Sequence, residues 1–170
     1  MTPEFEPERR AEPRPPRHRI DPRARWYWFI ESAAWSLMIV AALVVPGIIW
    51  ETVRSGFFIA AAVVGSMLLA MTVIMPLLRY RVHRWESSAT AVYTKTGWLS
   101  REWKVAPLSR IQSVEAKRNP LHQMLGVAQV SVTTASAHGE IVIDGLDKDV
   151  ADDLVAELTV ATEGTVGDAT

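Results

Sequence analysis

Four histidines, His18, His83, His122 and His138, are the side chains best suited to move a proton or hold a metal near neutral pH. They fall on four different stretches, and no two stand at the two- or four-residue spacing that would aim a pair at one ion. Asp144, Asp147, Asp149, Asp152 and Asp153 crowd one segment as in a calcium loop. Gly145-Leu146 and a following helical periodicity interrupt the loop such a site needs, so these acids read as caps and a solvated helix face. The chain has no cysteine, which excludes a thiolate site, a cysteine nucleophile and a disulfide framework, and accords with a reducing compartment. Glu31 lies about one turn inside an aromatic belt, where it would snorkel or pair with an arginine rather than relay protons. No nucleophile, acid–base pair or metal cluster converges, so neither an enzyme nor a cofactor is expected.

Two looser groupings remain. Lys95, Arg101 and Lys104 flank a turn, with Trp98 and Trp103 nearby, and such a cluster could hold an anionic lipid headgroup. Arg110 and Gln112 alternate with Ile111; Arg110 is expected to pair with an acid at a sheet edge, ahead of contacting a ligand. Residues 81–162 carry nine basic and ten acidic side chains, so long-range attraction to an anionic leaflet is weak. The formal net charge of -1 likewise argues against nucleic acid as a partner.

The elements that must position these residues begin with two uncharged runs, 33–50 and 57–78. At about 1.5 Å per residue the second reaches roughly 33 Å as a helix, enough to cross a hydrocarbon core of about 30 Å. Six residues separate the runs, which predicts an antiparallel transmembrane hairpin over 26–80. Ser36, Ser66 and Thr72 are expected to bond back to their own helices. Ala61 with Gly65 and Ser66 with Ala70 offer small residues at four-residue spacing for a helix contact. Residues 1–25 are rich in Arg, Pro and Glu with little to bury, and are expected to form a disordered cytoplasmic arm. Nothing like a signal peptide precedes Glu51, so the first helix is expected to remain as an anchor. Eight arginines flank the outer ends of the hairpin (Arg14, Arg17, Arg19, Arg23, Arg25, Arg79, Arg81 and Arg84) against Arg54 in the turn. That places both termini in the cytoplasm of a multi-pass plasma-membrane protein. Trp26, Tyr27, Trp28 and Tyr80 would mark the inner interface and Trp50 the outer one.

After Leu78 alternation replaces continuous apolarity. Strands are expected at 89–95, 99–106, 111–117, 127–134 and 140–144, with another possible at 82–86. Thr96-Gly97 suggests a tight hairpin. Asn119-Pro120 and Gly126 bracket a helical turn over 120–125, with His122 on its surface. Asp147 can cap a helix over 148–161 whose Val150, Ala151, Leu154, Val155, Leu158 and Ala161 share a face that covers the sheet. Residues 81–162 are thus expected to hold a core of their own, and 163–170 to be a disordered tail.

Gly97-Trp98-Leu99-Ser100-Arg101, Val105-Ala106-Pro107-Leu108-Ser109-Arg110-Ile111-Gln112-Ser113-Val114, Asn119-Pro120-Leu121 to Leu125-Gly126, and Ile143-Asp144-Gly145-Leu146 together resemble the bacterial pleckstrin-homology-like (PH-like) domain of the membrane-flanked, YdbS-like family. With the hairpin, the resemblance spans 26–162. It implies a membrane α-hairpin followed by an α+β domain, an antiparallel PH-like partly open barrel capped by the C-terminal helix. It also implies a partner, since small members are often encoded beside a larger membrane protein carrying several such domains; self-association is the other expectation. The family has no established activity. A protein-interaction or assembly module is therefore the expected role, with recognition of anionic headgroups at the inner leaflet as the alternative. Eukaryotic domains of similar fold use basic residues around the first hairpin for that purpose.

Overall fold

The computed structural model describes residues 16–97, 102–135 and 139–167, the last five by backbone alone. Two long helices, α1 (Ala24–Ile49) and α2 (Arg54–Val82), run antiparallel through a 3-10 turn at Glu51–Val53. Their apolar side chains point mostly outward, Leu37 being 72% and Leu69 66% exposed, an arrangement that water would penalise and a bilayer rewards. The helices touch along small residues. Ala61 is buried, and a Cβ on Gly65 would meet Val40 at 3.5 Å. Ser66 and Ala70 are exposed instead, and the Ser66 hydroxyl bonds back to the Val63 carbonyl. Ser36 and Thr72 do not bond to their own backbones; their hydroxyls meet across the hairpin at 3.0 Å, because in an apolar setting a facing hydroxyl is the better partner.

Two antiparallel sheets follow. The first has the order β1 (His18–Arg19), β2 (Arg84–Ser87), β3 (Ala91–Thr96), β4 (Glu102–Pro107); the second β5 (Ile111–Lys117), β6 (Val127–Thr134), β7 (Glu140–Asp147). A 3-10 turn at Leu108–Arg110 carries the chain between them. Thr96 pairs with Glu102, so five residues join β3 to β4 rather than a two-residue turn, although Gly97 has the expected positive φ of 88°. Helix α3 (Pro120–Leu125) ends on Gly126 at φ 66°, and α4 (Lys148–Gly167) lies across β5, β6 and β7. Its Ala151, Leu154 and Leu158 are buried. Val150 is 42% exposed, and the backbone stays helical beyond the expected end at Ala161.

The N-terminal arm departs most from expectation. Residues 16–25 are ordered: His18 and Arg19 pair with Trp85 and Arg84, and Ile20 is 2% exposed in the core. Charge and proline favour disorder only while nothing apolar is buried, and Ile20 supplies that anchor. The core also takes in Ala24, Tyr27 and Trp28 from the first turns of α1. Tyr27 and Trp28 are therefore buried against the domain rather than set in an interfacial belt, while Trp26 is 60% exposed. The core of 81–162 is completed by residues that precede it in sequence.

Candidate functional site at the junction of hairpin and domain

The junction is made by a bulge. Along β6 and β7, Ala128 faces Leu146 and Gln129 faces Asp144, so Gly145 is the extra residue. Its φ is 84°, and a Cβ there would lie 2.4 Å from that of Ala24, so only glycine admits the start of α1. The Gly145 carbonyl accepts from the Asp21 N–H at 2.9 Å. Beside it, Arg23 bridges Asp21 and Asp147. Burial alone would raise the Asp21 pKa, but its hydrogen bonds from Arg23 hold it below the usual range. Asp147 is lowered chiefly by the Asp149 N–H, which its side chain accepts at 2.9 Å as the cap of α4.

Asp144 is the centre of this region. Its Oδ2 accepts from the indole N–H of Trp28 at 2.7 Å and from the Arg79 guanidinium at 3.2 Å, and Arg79 also stacks on the Trp28 ring at 4.2 Å. One carboxylate of β7 thus ties together the domain-side ends of both long helices. His83 packs against Trp28, with ring centroids 5.9 Å apart. Burial, assisted by Arg79, lowers its pKa to about 4.

His122 is also buried, 3% exposed, and not on the surface. Its ring lies 4.1 Å from that of Tyr27, because α3 packs on α1. Its Nδ1 accepts from the Asn119 N–H at 3.4 Å, so the neutral ring carries its proton on Nε2, 3.7 Å from Asp144 Oδ1. Burial lowers its pKa as well. Asp144 is thus brought near both His83 and His122, yet among the described residues no group of three or more His, Asp or Glu could hold a metal ion.

The residues singled out from the sequence are dispersed. Lys95 lies over the ring of its cross-strand partner Trp103 at 4.6 Å. Lys104 stands 3.6 Å from Glu102 and faces a cavity of about 240 Å3, whose walls include Arg79, His83, Thr94 and Asp144. Trp98, Arg101 and His138 lie outside the described residues. Arg110 is exposed in the 3-10 turn, not in a strand, and forms no ion pair with a described acid; leaving β4 for β5 requires that turn. Gln112 is the residue the β5–β6 pairing skips. Sequence reasoning passed over Trp28, Arg79 and Asp144, which it assigned to belt, topology signal and cap. Their signal was Asp144-Gly145, an acid beside a glycine in the middle of a strand.

The model of the bacterial PH domain family matches residues 33–161. The transmembrane protein YdbS of Bacillus subtilis (strain 168) is 24% identical over 157 residues, covering 89% of this chain and 98% of that protein. No solved structure matches.

Proposed function

The chain belongs to the bacterial PH domain family, and on that premise we propose that it is a membrane-anchored, non-catalytic module that presents its PH-like domain at the cytoplasmic face for assembly with another protein. The partner is a larger membrane protein carrying related domains or a second copy of this chain. The observation that carries this reading is the outer side of β4. It is the last strand of its sheet, β7 approaches it without pairing, and Val105 on it is 48% exposed, which supports docking of a partner by packing or strand addition. Docking of the domain on the hairpin through Asp144 holds that edge at a fixed height above the membrane. The test is recovery of the full-length protein from its native membrane. Wild type should bring a defined partner or a second copy, and Val105→Lys, a charge placed on the edge, should lose it while remaining folded. Equal recovery by the variant would remove β4 as the binding edge.

Recognition of anionic headgroups is a second reading, and one observation favours it: Lys104 and Arg79 line one cavity at the domain end of α2.

A further inference from the structure

The inward face of the first sheet changes character along its length. In register, Val92 faces Ala106 and Thr94 faces Lys104. Val92 and Ala106 are buried in the apolar core, whereas the next pair along the same face sets a threonine and a lysine at the wall of the 240 Å3 cavity. A small barrel that needed only to fold would continue the apolar row. The Thr94 hydroxyl and both ring nitrogens of His83 are buried, and in the structure none has a hydrogen-bond partner. Buried polar groups are ordinarily satisfied, so three such atoms on two residues that line the cavity point to a ligand. Arg79 spends one N–H on Asp144 and retains others of its five. The two acids at the site do not cancel its use: Asp144 fixes Arg79 in place, and Glu102, 60% exposed, meets Lys104 in an ion pair of the weak surface kind.

We propose that this end of the barrel binds a single phosphate group, with Lys104 and Arg79 supplying charge and Thr94 and His83 supplying hydrogen bonds. Donors arriving from β3, β4 and the end of α2 suit a tetrahedral oxyanion, which accepts from several directions, better than a planar carboxylate. Arg79 follows the uncharged run 57–78 directly, so the site lies at headgroup depth, and an inner-leaflet phospholipid is the source it fits. The inference rests on the headgroup reading and goes beyond it by placing the site inside the barrel, away from Lys95.

The experiment uses the full-length protein in dodecyl maltoside micelles, which carry no phosphate, with the His83 ring signals followed by NMR. In one arm inorganic phosphate is titrated; in the other, phosphatidylglycerol. A saturable movement of the His83 signals is expected in the phosphatidylglycerol arm. Lys104→Gln and Thr94→Val should each weaken it about ten-fold or more, and Lys95→Gln should leave it unchanged. A response to inorganic phosphate alone, with the same variant pattern, supports the phosphate site and overturns the headgroup reading. A phosphatidylglycerol response that Lys104→Gln and Thr94→Val do not alter overturns the site and leaves the headgroup reading standing elsewhere on the protein. No response in either arm overturns the site and, with it, the placing of a headgroup at this end of the barrel. If Thr94→Val fails to fold, Lys104→Gln decides alone.

Discussion

Asp144 joins the domain to the hairpin, because its two partners come from different membrane helices. Asp144→Ala should lower stability by roughly 2–3 kcal/mol, since it leaves a buried indole N–H and a guanidinium unpaired; thermal unfolding of the detergent-solubilised protein measures it. His83 and His122 are both buried with lowered pKa values, and His83 has the larger lever on the response to acid. Its folded pKa of about 4 lies below the ordinary value of 6.5, so the unfolded chain binds the extra proton first. Stability should therefore be full above about pH 6.5 and fall continuously towards pH 4, by at most a few kcal/mol. Melting midpoints at pH 7 and pH 5 should differ for wild type and lie closer together for His83→Phe, which keeps an aromatic ring against Trp28; the buried His122 accounts for the remainder. An unchanged difference in the variant would assign the titration to another group.

At the scale of elements, the bulge at Gly145 is what lets α1 meet β7. Gly145→Ala should cost more than Gly139→Ala. Both glycines have positive φ, but a Cβ on Gly139 meets nothing within 4 Å while one on Gly145 meets Ala24. Equal losses in the two variants would mean that α1 can retreat freely. The strands over 111–117 and 127–134, the turn 120–125 and the capped start of α4 were all readable from alternation and capping residues, because those signals are local. The ordered arm, the burial of His122 and the Asp144 junction were not. Each depends on contact between segments far apart in sequence, and Trp28 in isolation looks like any interfacial tryptophan. A fragment over 81–162 lacks Ile20, Ala24, Tyr27 and Trp28, so it should unfold without the sharp transition of the intact protein. Circular dichroism on heating compares the two.

For the whole molecule, the absence of native cysteine makes topology directly accessible. On the proposed topology Ser55→Cys, in the first turn of α2, should react with an impermeant thiol reagent in intact cells, and Ser109→Cys in the domain only after permeabilisation; the reverse pattern would invert that topology. The arrangement proposed for function requires more than a tether: hairpin and domain must behave as one body. Hydrogen exchange of the full-length protein in nanodiscs tests this most directly, by comparing wild type with Trp28→Ala. Trp28 lies on a membrane helix but is 2% exposed against the domain. If the two parts are one body, the slowest amides of β6 and β7 should lose about a hundred-fold or more of their protection. Unchanged protection in those strands, with faster exchange confined to the start of α1, would contradict it.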